Sequence, residues 1–205
     1  GSNLGNREIL LQKAIFEIDN KAGDIRQVSS VYETPSWGFE GEDFLNACVE
    51  IQTLLSPEEL LSKLLTIEKS FGRKRTESHS YQSRTLDLDI IYYEHDIIKT
   101  ETLTIPHPKL QDRKFILKPL ADISPQYYHP ILNKDTRNLL QECKDKSIIT
   151  KQIKKLFKNR HTFFASFEYV AIEGNIGAGK TTLATKISDD FNAKLILERF
   201  AENPF

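Results

Sequence analysis

Methionine is absent from all 205 residues, and tryptophan occurs once. Without a start residue, opening on the loop-like GSNLGNRE and stopping at ENPF, the chain reads as an excerpt of a longer reading frame. Cysteine is nearly as scarce: Cys48 and Cys143 are far apart and form no C-x-x-C. That excludes a disulfide framework or a cysteine zinc site and points to reduced thiols in a cytoplasmic protein. No apolar run approaches the roughly 20 residues of a membrane span, and no secretory signal is visible. A net charge of -1 supplies no broad attraction to nucleic acid or anionic membrane, so neither is expected as a partner. Any phosphate recognition must come from local clusters.

What is present is ordinary for a globular protein with a core: 39% hydrophobic and 28% charged residues. Leu11, Ala14, Ile15 and Ile18 recur at helical spacing and Gly23 follows, predicting a helix over roughly 5 to 22. Residues 24 to 33 read as a strand, and TPSWGFEGED as a long loop. In FLNACVEIQT, Leu45, Ala47, Val49 and Ile51 share one strand face while Phe44, Asn46 and Cys48 share the other. SPEELLSKLLTIEKSFG carries a capping box at Ser56 and Glu59, proline at the first helical position, and Gly72 as a stop. TLDLDIIYY reads as a further strand. The prolines of TIPHPKLQDRKFILKPLADISP argue against long regular elements there, and a helix is expected near 134 to 143. Lysine-rich residues 144 to 165 read as a linker, and strand character resumes at YVAIE. The order helix–strand–strand–helix–strand, with a strand missing before Gly1, suggests an α+β sandwich of ferredoxin-like type.

The chemistry concentrates in SRTLDLDII. On a strand, Leu86, Leu88 and Ile90 point into a core, while Asp87 and Asp89 project from the other face about 7 Å apart. Such a pair can chelate Mg²⁺, which favours oxygen ligands and shares them with substrate phosphates. Alone, D-x-D equally describes a solvated strand. Arg73, Arg75 and Arg84 precede the pair, however, and His107 and Arg113 follow it. Acids for metal beside arginine forks for phosphate are what phosphoryl transfer requires.

GSNLGNRE, SSVYETP, DFLNA, FGRKR, RTLDLDI and TIPHPKLQDRKF occur in the order and spacing of hydroxymethyl-dihydropterin pyrophosphokinases, and the chain resembles that family from residue 1 to about 135. The resemblance implies transfer of pyrophosphate from ATP to 6-hydroxymethyl-7,8-dihydropterin in folate biosynthesis, with two Mg²⁺ ions on Asp87 and Asp89. It implies catalytic roles on the phosphates for Arg73 and Arg84, and nucleotide contacts for Glu68, Arg75, His107 and Arg113. Phe44 and Phe115 would sandwich the pterin, Asn46 would pair with its polar edge, and Thr34, Pro35 and Trp37 would close the pocket. Tyr81, Gln82 and Pro108 depart from the family's usual residues, which touches loop packing and nucleotide stacking more than the metal pair.

GNIGAGKT, from Gly174 to Thr181, fits the phosphate-loop pattern G-x-x-x-x-G-K-[ST], with YVAIE before it as a strand and Leu183, Ile187 and Phe191 after it on a helix. In that motif Gly174 and Gly179 shape a backbone cradle, Lys180 reaches phosphate and Thr181 a Mg²⁺ ion. IEGNIGAGKTTL with LERFAENPF resembles the N-terminal end of deoxynucleoside kinases, in which a glutamate at the position of Glu198 acts as base. Only about 40 residues of that family are present, too few to bury a core. The expected organisation is a pyrophosphokinase domain at 1–143, a linker at 144–165 and a truncated kinase unit at 166–205, with a deoxynucleoside substrate only for the complete second domain. Two other readings stay open: a nucleoside kinase with a non-catalytic front module, and a pterin- or ATP-binding regulatory module.

Overall fold

A computed structural model describes residues 1–36, 39–73 and 83–197. Trp37, Arg75, Tyr81, Gln82 and Glu198 lie outside the described residues. The chain forms two compact units, Gly1–Asn159 and Arg160–Phe205.

Helix α1 spans Arg7–Lys21; the Asn6 side chain caps it by accepting the Ile9 N–H at 3.1 Å. Gly23 follows at φ +148°, and a Cβ there would stand 2.4 Å from the Gln52 carbonyl, so only glycine fits where the chain turns against its neighbour. Strands β1 (Asp24–Val28) and β2 (Tyr32–Thr34) replace the single expected strand, and β3 (Phe44–Asn46) and β4 (Val49–Gln52) replace the next. Each break lets one segment serve two sheets: β1 pairs with β4, and β2 pairs with β3. Helix α2 (Pro57–Ser70) starts with the expected capping box: Glu59 accepts the Ser56 N–H at 2.8 Å, and Ser56 accepts the Glu59 N–H at 3.3 Å.

The segment 86–93 departs from expectation, because no strand is assigned to it. Its backbone–backbone bonds are isolated ones, Asp87 with Gly1, the Ile91 carbonyl with the His107 N–H and the Tyr93 carbonyl with the Asp96 N–H, so no ladder forms. A cleft is lined both by β4 and by Leu88–Glu94, so this stretch faces open space where a pairing strand would stand. Its packing still follows the pattern read from sequence, with Leu86 fully buried and Ile90 8% exposed. They join Leu11, Ile15 and Ile18 of α1 and Leu60, Leu64 and Ile67 of α2 in the larger core.

Beyond the short hairpin β5 (Ile98–Lys99) and β6 (Thr104–Ile105), a ten-residue helix α3 runs over Lys114–Ile123 with Pro119 inside it. The prolines therefore do not exclude a helix there. Pro119 forfeits one backbone bond, but it is fully buried in a helix whose Ile116, Leu117 and Leu120 make a second core with Leu110 and Leu139. Helix α4 (Thr136–Glu142) carries Leu139. Residues 144–159, lysine-rich and expected as linker, lie in the first unit. Strand β7 (Thr150–Lys151) adds to the free edge of β2, and Gln12 fastens Phe157 by two bonds of 2.8 Å.

The second unit holds helices α5 (Arg160–Phe164) and α6 (Lys180–Phe191), joined by Phe164 stacking on Phe191 at 4.2 Å. The expected strand at YVAIE does not form; it has no partner strand among the described residues of this unit, and most of it is exposed.

Candidate active site

A cleft of ≈ 1110 Å³ opens in the first unit, lined by both polar and apolar side chains. The polar part of its lining is built where three chain segments meet. Gly1 donates its N–H to the Asp87 carbonyl at 2.7 Å, and Ser2 exchanges backbone bonds with Leu45 at 3.0 and 2.8 Å. Asn3, 2% exposed, donates to the Glu42 carbonyl and Ser83 Oγ, and accepts the Arg84 N–H at 2.7 Å. Asn3 thus holds the backbone that presents Arg84. Sequence reasoning missed it, although it stands within the quoted GSNLGNRE.

Asp87 and Asp89 both line the cleft, Asp87 half-buried and Asp89 exposed on its floor. Arg84 Nη1 lies 2.7 Å from Asp87 Oδ2, and Arg73 Nη1 pairs with Asp87 Oδ1. Burial alone would raise the Asp87 carboxyl, but neighbouring positive charges, Arg84 and Arg73 among them, outweigh it and hold the acid below its ordinary range. Asp89 moves the other way. Desolvation in the cleft and repulsion by Asp87 raise it, more than His107 and Arg113 compensate. Two acids with opposed tendencies favour one shared positive partner, which would stabilise both charges at once.

The donor set fits Mg²⁺. The described residues contain no cluster of three or more His, Cys, Asp or Glu side chains, so a metal here would take two carboxylates and complete its shell from water and substrate. Mg²⁺ uses that mixture, whereas structural zinc does not.

His107 faces the same cleft. Its backbone N–H bonds to Ile91 O at 2.9 Å, and its Nδ1 accepts the Lys109 N–H at 3.3 Å. Burial lowers its pKa, against the pull of Asp89, so the ring is neutral near pH 7. With Nδ1 accepting, the proton sits on Nε2, where the ring can donate.

The aromatic wall comes from β3 and the start of α3. Phe44 and Asn46 project from one face of β3, as expected, and Phe115 lines the cleft from α3. The Arg84 guanidinium sits 5.9 Å from the Phe44 ring centre and that of Arg113 5.5 Å from Phe115. Phe39, unremarked in the sequence, meets Phe44 edge-on at 6.3 Å. Asn46 Nδ2 donates to Thr34 Oγ1 at 2.9 Å, which fixes the amide orientation beside Pro35. Asp122 of α3 ties this wall to β2, accepting the Tyr32 hydroxyl at 2.9 Å and the Ser30 N–H at 3.1 Å.

The cleft thus gathers Arg73, Arg84, Asp87, Asp89, His107 and Arg113 with Thr34, Pro35, Phe44, Asn46 and Phe115. Glu68 is not in its lining; it is 1% exposed beneath the floor. Gly174, Gly179, Lys180 and Thr181 belong to the second unit. There Gly177 and Gly179 hold φ near +79° and +78°, and Lys180 Nζ turns back to the carbonyls of Gly174 and Asn175 at 2.5 and 2.9 Å.

Residues 1–125 match the family model of 7,8-dihydro-6-hydroxymethylpterin-pyrophosphokinase. A 2-amino-4-hydroxy-6-hydroxymethyldihydropteridine pyrophosphokinase of Aquifex aeolicus is 39% identical over 143 residues, covering 69% of this chain and 88% of that protein. One from Bacillus subtilis is 43% identical over 128 residues, 62% of this chain and 75% of that protein. The folic acid synthesis protein fol1 of Pneumocystis carinii is 37% identical over 172 residues, 83% of this chain but 23% of that longer protein.

Proposed function

Because the chain belongs to the 7,8-dihydro-6-hydroxymethylpterin-pyrophosphokinase family, we propose that its cleft transfers the β,γ-pyrophosphoryl group of ATP to the hydroxymethyl group of 6-hydroxymethyl-7,8-dihydropterin, giving the pterin diphosphate and AMP. Membership makes it a transferase of folate biosynthesis with ATP as co-substrate. The hydroxyl oxygen bonds to the β-phosphorus as the bond from that phosphorus to the α,β-bridging oxygen breaks. The hydroxyl proton is released and AMP leaves with the bridging oxygen.

The observation that carries this reading is the position of Arg84. One guanidinium lies 2.7 Å from Asp87 and 5.9 Å from the Phe44 ring, so acid pair and aromatic wall are adjacent. A flat heterocycle held at Phe44 therefore presents a short side arm to phosphates held at Asp87 and Asp89. Phe44 and Phe115 take the faces of the pterin, and Asn46, oriented by Thr34, pairs with its amide edge. Asp87 and Asp89 hold Mg²⁺, two ions in this reading, which neutralise phosphate charge when bound. Arg73 and Arg84 leave Asp87 for the phosphate oxygens, where planar forks bind bidentately. His107 donates from Nε2 to the nucleotide, and Arg113 adds a charge beside it. Placing both reactants in one cleft replaces a bimolecular encounter by a positioned one.

Within the mixed α/β fold, the first unit is proposed as a ferredoxin-like sandwich. The protein acts in the cytoplasm on small molecules. A second reading concerns residues 166–205, proposed as the start of a deoxynucleoside kinase in a bifunctional fusion. Its support is the glycine-shaped loop from Gly174 to Thr181 at the start of α6. Chromatography of a reaction with ATP, Mg²⁺ and the pterin tests the main reading: AMP marks pyrophosphoryl transfer, ADP a single phosphoryl transfer. A folded chain that bound both ligands without forming AMP would favour the regulatory-module reading.

A further inference from the structure

Glu68 sits on the last turn of α2 beside Ile67 and is 1% exposed, an environment that penalises a charge unless partners surround it. Its partners are specific. Oε1 accepts the Leu88 N–H at 2.7 Å, and Leu88 is the residue between Asp87 and Asp89. The same oxygen pairs with Arg73 Nη1, and that nitrogen also pairs with Asp87 Oδ1. One guanidinium nitrogen is therefore divided between a buried acid and an acid of the cleft. Arg84 stands on the other Asp87 oxygen at 2.7 Å.

We propose that Glu68 is a positioning residue that sets how tightly the Asp87/Asp89 pair takes a divalent cation, by drawing the Arg73 guanidinium away from Asp87 and fixing the Leu88 backbone between the two acids. The inference rests on the metal reading of that pair given above. With both of its oxygens facing guanidinium groups, Asp87 accepts a cation only by displacing them. Glu68 lowers that barrier in two ways: it offers Arg73 another carboxylate, and it adds a negative charge close behind the pair. Its position on α2, below the cleft, lets it act without touching substrate.

Glu68→Gln keeps the shape and an oxygen for the Leu88 N–H but loses the charge that competes for Arg73. Arg73→Gln removes the cation that competes for Asp87. The measurement is Mn²⁺ affinity, followed by electron paramagnetic resonance, for the full chain without nucleotide, the state in which Arg73 stands on Asp87. Glu68→Gln is expected to bind Mn²⁺ about tenfold more weakly than the unaltered chain, and Arg73→Gln about tenfold more tightly. A purely structural Glu68 would lower the melting temperature and leave Mn²⁺ affinity alone, so unchanged affinity in a folded Glu68→Gln overturns the inference. Should Glu68→Gln fail to fold, Arg73→Gln decides: tighter Mn²⁺ supports the inference, and unchanged or weaker Mn²⁺ overturns it. Asp87→Asn separates the two levels. If it bound Mn²⁺ as tightly as the unaltered chain, the metal reading would fall and the inference with it.

Discussion

The Nη1 atom of Arg84 stands 2.7 Å from Oδ2 of Asp87, with its backbone N–H held by Asn3. In the proposed function this guanidinium moves from Asp87 to the phosphates while Asn3 keeps its backbone in place, and its planar fork is the useful part. Arg84→Lys keeps the charge but loses the fork. It is expected to lower kcat by about 10²- to 10³-fold with a smaller change in pterin KM. Steady-state kinetics at saturating Mg²⁺ checks this; an unchanged kcat would make the Asp87 contact merely structural.

Asn46 and Thr34 make a separable prediction. Thr34 holds the Asn46 amide at 2.9 Å, so Asn46→Ala removes an oriented edge and leaves the acid pair intact. Pterin binding should weaken by about 1–3 kcal/mol, the cost of an unpaired buried group, while ATP binding stays as it was. Pterin fluorescence titration with and without the ATP analogue distinguishes the two ligands. Equal losses for both would place Asn46 outside the pterin pocket.

Stability should depend on His129. The ring is 4% exposed, and its Nδ1 accepts the N–H groups of Ile131 and Leu132 at 3.2 and 3.3 Å. Burial holds its pKa below the ordinary 6.5. Between the folded and unfolded values the unfolded chain binds more protons, so this contribution is fully present above pH 6.5 and is lost as pH falls through the folded pKa. The melting temperature should fall from pH 7 to pH 5, and His129→Gln should flatten that slope. An equal slope in the variant would assign it to other groups.

The strap over α1 is testable through Gln12, which makes two bonds of 2.8 Å to the Phe157 backbone. Gln12→Ala should cost about 1 kcal/mol for each bond lost and lower the melting temperature without changing kcat. A melting temperature equal to that of the unaltered chain would mean the Gln12–Phe157 bonds contribute nothing to this unit's stability.

Local signals were the most legible part of this chain. The capping box of α2, the apolar stripe of α1 and the alternation of Leu86, Leu88 and Ile90 each express a period or a cap that needs no distant partner. Of the polar residues assigned to the first site, Thr34, Asn46, Arg73, Arg84, Asp87, Asp89, His107 and Arg113 line one cleft, Glu68 does not, and Arg75 lies outside the described residues. What failed needed tertiary information. Residues 86–93 are extended but unladdered, and a ladder depends on a neighbour that no local pattern announces. Pro119 is tolerated because burial of α3 outweighs its missing bond. Asn3 and Phe39 matter through contacts dozens of residues away, and Glu68 lies under the cleft because only the packing of α2 sets its depth.

In the proposed reaction two phosphoryl groups move together from ATP to the pterin at the Asp87/Asp89 cleft. Phosphorus NMR of a reaction containing ATP, Mg²⁺ and 6-hydroxymethyl-7,8-dihydropterin tests it most directly. The expected products are AMP and a pterin with two coupled phosphorus resonances, both lost in Asp87→Asn/Asp89→Asn. ADP with a single pterin phosphorus resonance would contradict it, and so would turnover that survives in the double variant.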